Sequence, residues 1–349
     1  MSASSLSIHD YIDGEQKQSV SFRLLLGLYS IIPLCLLLQY FDHWFWQDYL
    51  RNNLPSSPYH FVLFQILFGT PHILASNILL VSNKDYFKHY QRHIVFMTAA
   101  IAFAYVFGNL LLPYRLLYIF VACWTVYHVL KQQYGIARGV CQLPEGVFKL
   151  LLLLSVLAGV AIYIGIFLRN SLGAEHVYWV KHIAALGCLL LMIAAFVYEH
   201  FVTTAFGKWF YWSNVFLVLT SFYLYLQQHY FMAILVPRFV HDATAYLFYV
   251  THDFNKHRHQ PQNALYRLAA NCNVHIFFVL PVISFAAAFM LQAYGDDVVN
   301  WLTNQLLGKQ FYKVITLGLL GYLALMHYYM EGLTWQKDSP YRKFISFTK

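Results

Sequence analysis

Two histidine–aspartate pairs stand in one mostly apolar stretch of the chain, His241 with Asp242 and His252 with Asp253. The pairs are 11 residues apart, which is close to three turns of an α-helix at about 3.6 residues per turn. Both pairs, together with Tyr249, are therefore expected on one helical face, with the pairs roughly 16 Å apart along the axis. Ionisable side chains are costly in lipid, so this face must turn toward protein, water or a metal ion.

Three other apolar runs carry a histidine at a similar predicted depth: His72, His128 and His327. Each is followed by a polar side chain four positions later, and residues four apart share a helical face. Such neighbours either bind a metal directly or orient an imidazole that does. A further histidine, His275, begins the next apolar run on the same side as His252. The partners at the fourth position are Ser76, Gln132 and Glu331.

This combination of side chains predicts a metal site within the membrane. Imidazole, carboxylate and amide ligands together suit iron, manganese or zinc better than copper(I), and such ligands with open positions are typical of non-haem iron that activates oxygen. Iron is therefore the expected metal, with zinc and manganese as alternatives. Tyr249, as a hydrogen-bond donor, and Glu331, as a carboxylate beside the metal, are the predicted catalytic groups. The predicted ligands are His72, His128, His241, Asp242, His252, His275 and His327.

Other interpretations of the same histidines stay open. A single buried histidine is often a hydrogen-bonded packing residue, and chains of His, Asp and Glu inside membranes also mark proton paths. Two opposed histidines would suffice to bind haem, although the carboxylates would then have no role. His257 and His259 lie in a basic segment and are expected to be solvated or to contact anionic headgroups. The histidines expected at the membrane interface are His43, His60, His89, His93, His176, His182, His200 and His229.

The composition indicates an integral membrane protein. Of 349 residues, 59% are hydrophobic and only 11% are charged, against roughly 25% charged residues in a soluble domain. Positive cytoplasmic loops explain the net charge of +8, so nucleic acid is not an expected partner. The five cysteines include no CxxC pair, which argues against a disulfide framework or a thiolate metal site.

Runs of about 20 apolar residues mark transmembrane helices, and their number predicts an all-α polytopic membrane bundle of about ten. A polar tail of residues 1–21 precedes the bundle at 22–333, and a basic tail at 334–349 follows it. Lysine and arginine concentrate in alternate loops, which predicts that both termini are cytoplasmic. The expected location is the inner membrane of a bacterium. The predicted spans are 22–41, 60–82, 94–112, 115–138, 147–168, 179–198, 209–227, 231–253, 274–294 and 312–333.

The order of the histidine motifs resembles that of the Brp/Blh-type carotene dioxygenases. That family has leucine-proline-histidine, histidine-phenylalanine-glycine and late proline-histidine motifs, each followed by an acidic residue. In this chain Pro71 and His72 come early, His128 follows, then the histidines within 252–259, and His327 comes last. The resemblance implies a multi-pass membrane protein with a His-ligated iron site that faces an apolar substrate.

The predicted function is that of a membrane-bound, His-ligated non-haem metal oxidoreductase, an oxygenase acting on a lipophilic small molecule. Membrane lipid is the other expected partner. Two alternatives from other classes remain open: a transporter or proton-relay protein, and a bis-His haem protein for electron transfer.

Overall fold

The computed structural model describes residues 17–55, 69–111, 114–261, 263–311, 313–336 and 338–348. Over these ranges the chain is almost entirely helical. A 3₁₀ turn at Leu28–Ser30 joins α1 to α2, and a π-helical segment at Val314–Leu319 leads into α13. The elements in chain order are β1 (Ser19–Ser21), α1 (Phe22–Gly27), α2 (Ile31–Trp44), α3 (Tyr49–Asn53), α4 (Thr70–Ser82), α5 (Lys84–Leu111), α6 (Tyr114–Cys141), α7 (Glu145–Phe167), α8 (Ala174–Tyr198), α9 (Ala205–Leu226), α10 (Tyr230–His257), α11 (Ala264–Asn271), α12 (Ile276–Leu307), α13 (Leu320–Thr334) and β2 (Ser346–Thr348).

Four helical segments are long and apolar enough to cross a membrane: Phe22–Trp44, Glu145–Phe167, Ala174–Phe201 and Ile276–Leu307. The prediction of an all-helical membrane bundle is confirmed in this coarser form. Every predicted apolar run overlaps a helix in the described part of the chain, while residues 60–68 of the second run lie outside it. The total of ten spans and the cytoplasmic side of the termini stay predictions.

Two helices extend well beyond the apolar runs that predicted them. Helix α5 begins at Lys84, and α12 continues to Leu307. The second extension has a visible cause at Asp296, which the sequence placed in a loop. Its Oδ1 accepts a hydrogen bond from the backbone N–H of Ile315 at 2.7 Å, and its Oδ2 accepts one from the Thr316 hydroxyl at 2.6 Å. The carboxylate of Asp296 is therefore hydrogen-bonded to the first turn of the next helical segment. Because these bonds replace those it would make to water in a loop, α12 can continue past this residue.

Helices α7 and α8 approach each other closely at a glycine. A Cβ atom added to Gly187 would lie 3.1 Å from the Cβ and 3.2 Å from the Cα of Ala158. Small residues allow such approach inside a membrane, where van der Waals packing rather than water drives helix association. Gly187 therefore sets the spacing of two helices that are long and apolar enough to cross a membrane.

Gly187→Leu should lower the free energy of unfolding by about 1–3 kcal/mol, because overpacking forces backbone shifts. Thermal unfolding of the detergent-solubilised protein measures the effect. Gly146→Leu in α7 is the matched control, since a Cβ there meets no atom within 4 Å. Equal losses of stability in the two variants would contradict the close packing.

The two short strands bring both ends of the described chain to one end of the bundle. β1 and β2 pair in parallel, with Ser19 opposite Ser346, and the rings of Phe22 and Phe347 stack 5.0 Å apart. The segment predicted as a basic tail is therefore partly folded onto the helices. Tyr341 in this segment is buried.

Hydrogen bonds around Asp42 connect helices at the opposite end of the bundle. Asp42 accepts hydrogen bonds from the N–H groups of Leu50 and Arg51 at 2.6 and 2.9 Å, and its Oδ2 lies 2.9 Å from Nε2 of His229. His229 was expected at the interface, yet it is buried. The sequence prediction missed this because the carboxylate that pairs with the imidazole is 187 residues away.

Candidate metal centre

Four helices converge on one group of buried histidines, which we call the four-histidine group: His72 of α4, His128 of α6, His241 of α10 and His327 of α13. Each residue offers one ligand atom, and these atoms all lie within 4.8 Å of one another. All four side chains are buried. The structure thus brings together four of the seven predicted ligands.

The spacing of the rings suits a single ion. Nε2 of His72 lies 3.1 Å from Nε2 of His327, whereas ligand nitrogens about 2.05 Å from one tetrahedral ion are roughly 3.3 Å apart. The ring of His128 lies 4.9 Å from the rings of both His241 and His327, measured between centroids. Small movements of these rings are enough to place an ion among them.

His241 provides the clearest indication that a ligand belongs in this group. Among the described residues, neither of its ring nitrogens has a hydrogen-bond partner, and both are buried. The nearest carboxylate oxygen, Oδ1 of Asp242, is 3.9 Å from Nε2. A buried polar atom without a partner costs about 1–3 kcal/mol. Coordination of a metal ion would remove this cost at one nitrogen.

Polar side chains hold two of the rings from outside the group. Oδ1 of Asp242 lies 3.1 Å from Nδ1 of His72, and the Ser76 hydroxyl lies 2.6 Å from Nδ1 of His327. Nε of Arg238 is 3.3 Å from Oδ2 of Asp242 and balances its charge. Such contacts fix the tautomer and orientation of metal-binding imidazoles. Asp242, itself predicted as a ligand, therefore contacts the His72 ring at Nδ1, while Nε2 of that ring faces His327.

The two predicted catalytic residues contact each other. The hydroxyl of Tyr249 donates a hydrogen bond to Oε1 of Glu331, and Oε2 of Glu331 lies 3.4 Å from Nε2 of His128. All three side chains are buried. Glu331 thus stands at the edge of the four-histidine group, where it can accept or release a proton.

A cavity of about 410 Å³ reaches the four-histidine group at His128 and Glu331. The cavity was not predicted from the sequence, although α6 carries a signal for it. Lining residues recur on α6 at intervals of three or four positions, and they include Gly135 and Gly139. Glycines on the same helical face as aromatic residues leave a groove. The aromatic walls are formed by Trp124, Tyr127, Phe148, Phe248, Tyr328 and Trp335.

His252, a predicted ligand, lies outside the four-histidine group. Its Nε2 is 2.6 Å from the Tyr86 hydroxyl and its Nδ1 is 2.9 Å from Oδ1 of Asp253. Its ring stacks on that of Tyr341 with centroids 4.4 Å apart. The spacing of the His-Asp pairs identified the shared face correctly. However, three helical turns separate His252 from His241 by roughly 16 Å, which is too far for one ion.

His275, another predicted ligand, is also not brought to the four-histidine group. It is exposed, and its Nδ1 accepts a hydrogen bond from the N–H of Phe277 at 3.4 Å. This contact caps the first turn of α12. His257, in contrast to the expectation of a solvated side chain, is buried and stacks on Tyr266 with centroids 4.2 Å apart.

Comparisons with protein-family models, with curated proteins and with solved structures give no match for this chain.

Proposed function

We propose that this protein is a membrane metalloenzyme, a non-haem iron oxygenase that oxidises a lipophilic molecule. The observation that carries the proposal is a buried group of four histidines in contact with an aromatic cavity. Substrate pockets are typically apolar concavities with a few polar groups at the reacting end. Here the polar end is formed by His128 and Glu331, beside the proposed metal.

The choice of iron follows from the donor set and from the sequence motifs. Imidazole ligands suit zinc, copper, iron and nickel. Nearby carboxylates and the likeness of the motifs to Brp/Blh-type carotene dioxygenases favour iron. When bound, iron would supply the binding and activation of dioxygen. His72, His128, His241 and His327 would hold it.

The other residues of the site would position the ligands and handle protons. Asp242 orients His72, and Ser76 orients His327. Tyr249 donates to one oxygen of Glu331, and the other oxygen lies 3.4 Å from Nε2 of His128. Because Glu331 also lines the cavity, its carboxylate would exchange a proton with a molecule bound there. The aromatic walls would keep bulk water from the reacting centre.

The two alternative functions have less support from the geometry. A haem macrocycle would need a slot between two opposed imidazoles, but the ring centroids of the group are only 4.7–5.1 Å apart. A proton relay would use ring nitrogens linked by hydrogen bonds. Nε2 of His72 and Nε2 of His327 are 3.1 Å apart, but neither ring nitrogen of His241 has a hydrogen-bond partner within the described residues, so such a relay would not include all four histidines.

The proposal is tested by combining metal analysis with oxygen labelling. Wild-type protein, expressed with added iron and purified, should contain non-haem iron and should incorporate ¹⁸O from ¹⁸O₂ into an extracted lipid fraction. Glu331→Gln should keep the metal and lose about 10²–10⁴-fold in turnover, the usual contribution of a general acid or base. Mass spectrometry of the lipids measures the incorporation.

Three results would separate the parts of the proposal. Protein without any transition metal would contradict the metal site, and the proton-relay function would then replace it. Iron-loaded protein that incorporates no ¹⁸O would contradict the oxygenase and leave the metal site standing. A loss of iron in Glu331→Gln would instead place this carboxylate among the ligands.

A further inference from the structure

Tyr86, His252 and Asp253 form a series of hydrogen-bonded side chains, and all three are buried. The Tyr86 hydroxyl lies 2.6 Å from Nε2 of His252, and Nδ1 of His252 lies 2.9 Å from Oδ1 of Asp253. A carboxylate only accepts hydrogen bonds, so Nδ1 carries the ring proton and Nε2 accepts the hydrogen bond of the hydroxyl. The tyrosine therefore faces a base whose other nitrogen is held by a negative charge.

A lysine above the Tyr86 ring determines how this tyrosine can lose an electron. Nζ of Lys256 lies 3.7 Å from the ring centroid of Tyr86 and 2.8 Å from Oδ2 of Asp85. The positive charge of the lysine opposes the formation of a second positive charge on the ring. Loss of an electron is therefore favoured only if the hydroxyl proton leaves at the same time, and Nε2 of His252 is placed to receive it.

A series of aromatic rings connects Tyr86 with the surroundings of the four-histidine group. The ring centroid of Tyr341 lies 6.4 Å from that of Tyr86 and 5.6 Å from that of Trp335, within the roughly 4.5–7 Å found for aromatic rings in contact. Trp335 lines the aromatic cavity together with His128 and Glu331. Tyrosine and tryptophan have the most easily oxidised rings among the amino acids. The series therefore offers an electron a path of short steps between Tyr86 and the proposed metal.

We propose that Tyr86 is a redox-active tyrosine that passes single electrons to the proposed metal centre, with His252 as the acceptor of its proton. In this step one electron leaves the Tyr86 phenol, its O–H bond breaks, and an N–H bond forms at Nε2 of His252. The products are a neutral phenoxyl radical and an imidazolium ion whose charge Asp253 balances. The electron acceptor is the metal centre after its oxidation by dioxygen, so the inference rests on the proposed function. An electron from a one-electron donor outside the bundle reverses both bond changes.

The redox site is tested first in chelator-treated protein, so that no metal contributes. A ruthenium photo-oxidant is attached to Cys272, an exposed cysteine directly after α11. After a flash in the presence of a dissolved electron acceptor, EPR should detect a radical whose lines narrow when the protein contains ring-deuterated tyrosine. Tyr86→Phe should abolish this signal. His252→Gln should lower the radical yield about tenfold, because the amide is not a base and a hydrogen bond between charged groups is lost.

Tyr266→Phe is the matched control. Tyr266 lies on α11, close in sequence to the label, and its hydroxyl donates a hydrogen bond to the carboxylate of Asp253. A carboxylate is a much weaker base than an imidazole, so Tyr266 should not be the tyrosine that is oxidised. This variant should keep the radical. Gel filtration of every variant verifies that it is folded.

A solvent isotope effect on wild type tests the same step without any substitution. Protein produced and measured in D₂O should form the radical more slowly than protein in H₂O, because the hydroxyl deuteron must move together with the electron. Equal rates in the two solvents would contradict the role of His252 as the proton acceptor.

A second experiment tests the connection between Tyr86 and the metal. Iron-loaded protein that is reduced and then exposed to dioxygen should show the same tyrosyl radical. Tyr341→Leu interrupts the series of rings. It should therefore lose the radical formed with iron and dioxygen, but keep the radical formed by the photo-oxidant.

Two further results would overturn the redox site: a radical yield in Tyr86→Phe equal to that in Tyr266→Phe, and a yield in His252→Gln equal to that in wild type. A radical that forms with the photo-oxidant but not with iron and dioxygen would contradict the connection to the metal and leave the redox site standing. Because the first experiment uses metal-free protein, failure of the proposed function is distinguishable from failure of this inference.

Discussion

His241→Ala should lose most of its bound metal while the protein still folds. We expect metal per protein to fall at least about tenfold, because each ligand of a shared site also fixes the others. His241 is the most informative ligand to remove. Its ring nitrogens have no hydrogen-bond partner among the described residues, so the substitution breaks no hydrogen bond of the described chain. Inductively coupled plasma mass spectrometry of the purified variants measures the metal.

His252→Ala is the matched control, since it removes an equally buried imidazole from the same helix. This variant breaks the contacts with Tyr86 and Asp253 and should therefore lower the thermal stability. It should keep its metal. Equal metal loss from both variants would mean that the loss follows from general loosening of the bundle, and the four-histidine site would be contradicted.

The positions of the helices could largely be predicted from hydropathy, because lipid leaves few alternatives to a helix for an apolar run. The break at 227–229 between α9 and α10 is present where the polar residues indicated it. The ends of the helices were harder to predict than their positions. Hydropathy treats 295–307 as a loop, but α12 continues through it. The contact of Asp296 with Ile315, which makes this possible, is not visible in local sequence.

Side-chain types and helical spacing identified the centre of the candidate site, but not its limits. The period of α10 correctly placed His241 and His252 on one buried face. Which of them reaches the other histidines depends on where α4, α6 and α13 cross α10, and this is set by packing between distant segments. The cavity beside His128 depends on the same crossings, although the glycines of α6 were a local signal.

Asp242→Asn should weaken metal binding about 10–100-fold, the usual effect of replacing a group that orients a metal-binding histidine. Asp242 holds Nδ1 of His72 at 3.1 Å with one oxygen and faces Arg238 with the other. An amide has a single oxygen and no charge, so it cannot serve both partners. Competition with a chromogenic chelator measures the affinity.

The same substitution should lower the thermal stability, because the largely buried Arg238 loses its counter-charge and an unpaired buried charge is strongly destabilising. Adding Arg238→Gln to Asp242→Asn should recover part of the stability, since it removes that charge. It should leave the metal affinity low, because the lost orientation of His72 is not restored. If the double variant recovered both the thermal stability and the metal affinity, Asp242 would act only through Arg238.

Asp253→Asn is the comparison that isolates the role of Asp242. Asp253 is also buried on α10 and also follows a histidine, and it accepts a hydrogen bond from Tyr266 in addition to its contact with His252. The change of side chain is identical, and so is the type of neighbour. What differs is the distance from the four-histidine group, because Asp253 lies about three helical turns beyond Asp242 on α10. Asp253→Asn should therefore cost stability without changing metal affinity. If the two variants weakened metal binding alike, the effect would belong to the helix as a whole and not to the contact between Asp242 and His72.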